Sequence, residues 1–222
     1  MTECRFIDIL RRTASQAGVN LTPEQLRQCD LHRRLLLEWN RKVNLTRITD
    51  PEEMAVKHFL DSFLPAERLP REGRVLDVGS GAGFPGVPLK VLHPSLDVTL
   101  LEARRKKASF LKVLVARLGL KGLRAVQGRW EDFSASGGFG NEGGFRGVIL
   151  RALELEERQL ARWAPGILGS GGFLAWWAGP QATPPSVDRT GGGGFLALRE
   201  RFEYRLPRGG GGRQLFVWQR SP

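Results

Sequence analysis

Along the first seventy or so residues, apolar positions return every three to four places, and after that the pattern changes to short β-branched runs separated by glycines. Thr22-Pro23-Glu24 predicts a helix start, with a capping hydroxyl, a proline at the first helical position and an acid in the first turn. Leu26, Leu31, Leu35, Leu36 and Trp39 then recur at helical spacing, and Asn40 and Asn44 end the run. Asp50-Pro51-Glu52-Glu53 predicts a second start, carrying Met54, Val56, Phe59, Leu60 and Phe63 inward until Pro65 and Pro70 close it. Strands are predicted at 74–78, 96–101, 123–126, 145–150 and 172–177, with helices at 84–92, 104–118 and 154–163. Such alternation predicts an α/β fold, a mostly parallel sheet with helices on both faces. Leu198–Leu206 and Gln214–Arg220 read as an antiparallel hairpin at the sheet edge, giving seven strands in all. Three glycine-rich patches, 137–144, 191–194 and 209–212, read as surface loops. Residues 1–70 are expected to form a helical cap and 71–222 the sheet domain.

A chain of 222 residues with 41% hydrophobic positions can bury a sizeable core. No apolar run approaches the roughly 20 residues of a membrane span, and the first residues lack a secretory signal, so a cytoplasmic protein is expected. Nothing demands an oligomer, and a monomer is expected. Cys4 and Cys29 have neither disulfide-framework nor metal spacing, so no metal is expected. The net charge of +11 is unevenly placed: residues 1–70 hold 11 Lys/Arg and 10 Asp/Glu, leaving 23 and 13 for the remainder. That surplus suits a polyanionic partner, although a solvated basic surface has the same composition.

The segment Asp77-Val78-Gly79-Ser80-Gly81-Ala82-Gly83-Phe84-Pro85-Gly86 follows a strand and opens a helix. Glycines there let the backbone approach a ligand closely. Nicotinamide and flavin enzymes use a glycine-rich turn too, but their usual spacing is G-x-G-x-x-G, which this turn does not follow. Asp77 ends the first strand, where a carboxylate either accepts a bond from a cofactor or holds the turn in shape. A pyrophosphate gains nothing from an acid so close. S-adenosylmethionine, with an amine, a carboxylate, a sulfonium and no phosphate, tolerates one. Glu102 ends the second strand, where it can accept two ribose hydroxyls. After the third strand, Trp130 offers an apolar face and Glu131 an edge acceptor for adenine, and Trp130 reads equally well as core packing.

These residues stand inside longer motifs. Trp39-Asn40-Arg41-Lys42-Val43-Asn44-Leu45-Thr46, His58-Phe59-Leu60-Asp61-Ser62, the Asp77–Gly86 turn, Gln127–Phe133 and Arg151-Ala152 follow one another in order. With them, the chain resembles the RsmG (GidB) proteins, bacterial methyltransferases acting on N7 of a guanine in the 530 loop of 16S rRNA. The match is clear over about residues 30–152. The resemblance implies a class I S-adenosylmethionine-dependent methyltransferase fold, Rossmann-like, with an N-terminal helical cap. It implies cofactor contacts at Gly79, Gly81, Phe84, Trp130, Glu131 and Arg151, with Glu102 at the ribose. His58, Asp61 and Arg151 would form the catalytic group, and Asn44 would meet RNA at the mouth. The partner implied is 16S rRNA or a 30S assembly intermediate. The chain departs from the family at Arg146, where Asp is usual, at Leu150, where Ser is usual, and after strand five, where Lys-Gly is usual and this chain has Trp176-Trp177-Ala178-Gly179.

The chemistry agrees with what is missing. Guanine N7 carries a lone pair and no proton, so in-line methyl transfer there needs alignment and no general base. Exocyclic amine methylation commonly uses an Asn/Asp-Pro-Pro-aromatic run after strand four, where this chain has Arg151-Ala152-Leu153. Pyrimidine C5 chemistry needs a nucleophilic cysteine, and both cysteines lie outside the catalytic half. Arg151, at the end of strand four, stands where such sheets bind ligands and is expected to meet either the cofactor carboxylate or the target nucleotide. Arg104-Arg105-Lys106-Lys107 places four cations at a helix start, against the helix dipole, which a phosphate contact would justify and a solvated face would also permit. The rival functions are an oxidoreductase, a non-catalytic RNA-binding protein and a small-molecule methyltransferase.

Overall fold

The computed structural model describes residues 2–131, 144–151, 166–185 and 196–221. The helix expected over 154–163, the glycine patch 191–194 and nearly all of patch 137–144 lie outside them. Seven strands form one sheet in the order β3-β2-β1-β4-β5-β7-β6. They are β1 (Gly73–Val78), β2 (Leu96–Glu102), β3 (Leu123–Gln127), β4 (Phe145–Arg151), β5 (Leu168–Ala178), β6 (Leu196–Leu206) and β7 (Gly211–Arg220). The first five run parallel, and β7 pairs antiparallel with both β5 and β6. This is the sheet expected, with the hairpin strands extended by two and three residues at their starts.

The strands bury both faces, as parallel sheets covered by helices do. Val75, Val98, Leu100, Ile149, Ala175 and Trp177 point into one cluster, shared with the N-terminal helices. Leu76, Val78, Leu101, Val148, Leu150, Leu174 and Trp176 point into the other, with Phe216 and Trp218. The division follows the period of two along each strand. Ahead of the sheet lie α1 (Thr2–Gln16) and α2 (Pro23–Asn40). Phe6, Leu10, Leu26 and Leu36 from these helices join the first cluster.

Helix α2 begins at the expected cap. Thr22 Oγ1 accepts the Gln25 N–H at 3.2 Å, and Gln25 Oε1 accepts the Thr22 N–H at 2.8 Å. This reciprocal pair is worth about 1 kcal/mol. Gln25 also donates to the Val91 carbonyl at 2.9 Å, fastening α2 to α5 (Gly86–Leu92).

The second predicted helix forms in three consecutive pieces: α3 (Pro51–Met54), a π-helical stretch (Ala55–Leu60) and α4 (Asp61–Phe63). Asp50 caps its start, accepting the N–H groups of Glu52 and Glu53. The wider winding was not in the apolar pattern. Helix α6 (Arg105–Leu118) ends at Gly119, whose φ of 60° supplies the left-handed stop. No helix among the described residues is long and apolar enough to cross a membrane.

Candidate functional site

A cavity of about 700 Å³ opens at the carboxyl ends of β1, β2, β3 and β4. The chain order turns back between β1 and β4, the crevice where open α/β sheets bind ligands. Four walls come from the sheet side. The turn after β1 contributes Gly79, Ser80, Gly81, Ala82 and Phe84, and β2 ends in Glu102. Arg129, Trp130 and Glu131 follow β3, and Leu150 and Arg151 close β4. The N-terminal segment adds Leu45 and His58.

The turn is held mainly by backbone bonds. Gly79 and Ser80 both donate to the Leu101 carbonyl, at 2.9 and 3.1 Å, and Gly83 donates to Ser80 O at 2.7 Å. Gly79, Gly81 and Gly83 adopt φ of 70°, 56° and 89°, which side-chain-bearing residues rarely take. Asp77 lies behind the turn and is not on the cavity wall. Its Oδ2 accepts the Gly86 N–H at 3.0 Å, so of the two roles open to it the geometry displays the holding one. Burial pushes its carboxyl up to about 7.

Glu102 is nearly buried and faces the cavity. Its Oε2 accepts the Gly81 N–H at 3.0 Å and its Oε1 the Arg104 N–H at 2.8 Å. Each carboxylate oxygen keeps a second lone pair, so two further donors can be accommodated. Trp130 lines the cavity and also packs against the second apolar cluster.

Arg151 lines the other wall and joins a charged network behind it. Its guanidinium pairs with Asp61 Oδ2 at 2.9 Å and donates to the Lys57 and His58 carbonyls. Those carbonyls belong to the π-helical stretch, a kind of winding found often at functional sites. Asp61 is not on the cavity wall either: it is buried, accepts the Tyr204 hydroxyl at 2.8 Å on Oδ1, and has Arg213 Nε at 3.7 Å. Trp177, at a departure from the family pattern, donates its indole N–H to the Asp61 carbonyl at 3.0 Å. Burial and the neighbouring Asp61 push the Tyr204 phenol upward.

His58 stacks on Phe84, centroids 4.6 Å apart, and its Nε2 lies 2.9 Å from Thr46 Oγ1. Burial, aided by Arg151, lowers its pKa to about 3, so it is neutral near pH 7. Asn40 shapes the loop that presents Thr46: its Oδ1 accepts the Leu45 and Thr46 N–H groups at 2.9 and 3.0 Å. Asn44 itself is exposed and does not line the cavity, although its neighbour Leu45 does. Of the four clustered cations, Arg104 and Lys107 line the cavity, whereas Arg105 and Lys106 are exposed beside it.

Three contributors, His32, Tyr204 and Arg213, escaped the sequence reading. His32, fully buried on α2, lies 2.7 Å through Nε2 from the Ala82 carbonyl and also stacks on Phe84. Its position at helical spacing with Leu35, Leu36 and Trp39 puts it on the apolar face, which was the available signal. Tyr204 and Arg213 gave no such signal, because only the closed hairpin brings them to Asp61.

Comparison with known proteins gives the family. The GidB family, described as rRNA small subunit methyltransferase G, matches residues 25–183. Ribosomal RNA small subunit methyltransferase G 1 of Syntrophobacter fumaroxidans is 44% identical over 220 residues, covering 99% of each chain. Ribosomal RNA small subunit methyltransferase G of Moorella thermoacetica is 37% identical over 193 residues, 83% of this chain and 79% of that one. Among solved structures, MtNAS, crystallised with MTA and tNA, superposes with a TM-score of 0.57 at 17% identity. That overlap spans 88% of this chain and 73% of that one, and at so low an identity it speaks for the fold alone. On the motifs, the sheet order and a relative matched from end to end, the chain belongs to the GidB family of rRNA small subunit methyltransferase G proteins.

Proposed function

We propose that the chain binds S-adenosylmethionine in the cavity at the ends of β1 to β4 and methylates N7 of a guanine in the 530 loop of 16S rRNA. The observation that carries the reading is a glycine turn at positive φ, bonded directly to Glu102, on the wall of a cavity of about 700 Å³. The residues fit the donor. Glu102 has lone pairs left for ribose hydroxyls, and Trp130 presents an apolar face beside Glu131 for adenine. Gly81 carries no Cβ where the backbone meets the cavity, and the nearest atom to a Cβ built there is the Gly79 carbonyl at 3.7 Å.

Bound S-adenosylmethionine supplies a methyl group made electrophilic by its sulfonium. The protein's part is alignment and exclusion of water. Gly79, Gly81 and Phe84 hold one side, and Arg151, fixed by Asp61, stands on the opposite wall against the donor's carboxylate or the target nucleotide. No residue has to remove a proton, which suits a site whose histidine is neutral and bonded to Thr46. Asp61 and Asp77 act from behind the wall, by holding Arg151 and the glycine turn. Residues 1–70 are read as the cap of this site, and Asn44 and the cations from Arg104 to Lys107 as its RNA-facing rim. The substrate is read as 16S rRNA or a 30S assembly intermediate, met in the cytoplasm by a monomer.

The test is mass spectrometry of rRNA from cells lacking the gene. Loss of the 530-loop methyl group, restored by the wild type and not by Gly81→Asp, is the expected result. Retention of the methyl group in the deleted strain would overturn the assignment.

A further inference from the structure

His32 belongs to a helix of the N-terminal segment, yet it touches three consecutive residues of the glycine turn. Its Nε2 is 2.7 Å from the Ala82 carbonyl. A Cβ added to Gly83 would sit 3.3 Å from His32 Cε1 and Nε2, so the imidazole lies directly against that backbone. Its ring then lies near-parallel to Phe84, 17° between planes and 4.6 Å between centroids. Ala82 and Phe84 both line the cavity, and His32 does not.

A carbonyl oxygen can only accept, so the His32 Nε2 must carry the proton. Its Nδ1 is buried with no hydrogen-bond partner, which fits a bare lone pair and one fixed tautomer. The contact has a purpose that the turn's own bonds leave unmet. Gly79, Gly81 and Gly83 give this segment more conformational freedom than other residues would, and a ligand seated on it has to bear the ordering of that backbone. A clamp anchored in α2 removes part of that freedom before binding.

We propose that His32 is a positioning residue: from α2 it pins Ala82 and Phe84, and so pre-forms the turn that receives the methyl donor. The proposal rests on the reading of the cavity as a nucleoside site, and it concerns a residue that never touches the ligand.

Two substitutions separate its parts. His32→Phe keeps a flat ring for Phe84 and removes the donor, and His32→Gln keeps an N–H donor and removes the ring. Calorimetry with S-adenosylhomocysteine should show binding to His32→Phe weakened about tenfold, the scale of one lost buried hydrogen bond. His32→Gln should recover part of it. Amide exchange at Gly83 and Phe84 in the ligand-free protein should accelerate in His32→Phe, with the amides of Leu111 and Leu114 unchanged. Binding within twofold of wild type together with unchanged exchange at Gly83 would overturn the proposal, even if the melting temperature fell. Should His32→Phe not fold, nitrogen-15 NMR of the wild type decides. An Nε2–H imidazole that does not titrate between pH 6 and 8 supports the clamp, and an Nδ1–H or titrating ring overturns it. If wild-type protein failed to bind the nucleoside, the reading of the cavity would fall, while the exchange data would still judge His32.

Discussion

Arg151, the last residue of β4, meets Asp61 of α4 at 2.9 Å, and this ion pair joins the sheet to the segment that carries His58. Asp61 is buried, and Tyr204 and Arg213 of the C-terminal hairpin hold its other oxygen. One carboxylate therefore links three parts of the chain that lie far apart in sequence.

Removing that carboxylate leaves the half-buried Arg151 guanidinium and the Tyr204 phenol without their common acceptor, while the Trp177 indole keeps the Asp61 backbone carbonyl. Asp61→Ala should cost about 3–5 kcal/mol in urea unfolding, the range for breaking one side of a buried pair. Tyr204→Phe removes one hydrogen bond and should cost about 1 kcal/mol. A smaller loss in Asp61→Ala than in Tyr204→Phe would show that the network is not centred where the geometry puts it.

The acid limb of the stability curve is set by buried histidines. His32 has its pKa lowered to about 4 and His58 to about 3, both chiefly by burial. Unfolded, each titrates near 6.5, so as pH falls below that value the unfolded chain takes up protons that the folded chain refuses. Their contribution is whole above about pH 6.5 and is lost progressively toward 4. Asp77, raised to about 7, acts with the opposite sign, since the folded state keeps a proton that the unfolded carboxyl has released above about 4. Two protons against one leave a net slope of roughly 1.4 kcal/mol per pH unit between about pH 4.5 and 6. His93, lowered by burial, adds in the same direction as the other two. Denaturant unfolding across that window should show stability rising with pH, and His32→Phe should flatten the rise. A flat wild-type profile would contradict the burial of these rings as neutral species.

Much of this was legible in the chain. The parallel strands announced themselves because β-branched runs alternate between two buried faces, and the turn after β1 because four glycines and a proline cluster between strand and helix. The π-helical stretch over Ala55–Leu60 was not legible. Its carbonyls turn to Arg151, a partner from β4, so the winding depends on tertiary contact and not on local spacing. For the same reason Asp61 and Asp77 read as site residues, while only the folded chain reveals that both stand behind the wall. His32 was hidden by its own surroundings: on an apolar helix face a histidine looks like core.

Gly86 marks a close approach that tolerates no side chain. A Cβ there would fall 2.5 Å from Asp77 Oδ2 and 2.7 Å from a Leu100 methyl, with Asp77 fixed beneath the turn. Gly86→Ala should therefore destabilise by about 1–3 kcal/mol, the range for overpacking a filled interior. It should also weaken S-adenosylhomocysteine binding, since the same carboxylate holds the turn. Thermal melts with and without the nucleoside check both parts. An alanine variant with wild-type stability and binding would mean that Asp77 can move aside freely.

The cations at the start of α6 divide into two pairs with different expected effects. Arg105 and Lys106 are exposed beside the cavity, while Arg104 and Lys107 line it. If the exposed pair meets only RNA phosphates, replacing both with Gln should weaken rRNA binding and flatten its dependence on log salt by about 0.7–0.9 for each phosphate no longer neutralised. Nucleoside affinity should stay as in wild type, because neither side chain reaches the cavity. Replacing Arg104 and Lys107 should lower both affinities, since those side chains line the cavity. Filter binding of rRNA fragments at several salt concentrations, beside calorimetry with S-adenosylhomocysteine, separates the pairs. An unchanged salt slope after neutralising Arg105 and Lys106 would remove that part of α6 from the RNA surface and leave its charge as a solvated face.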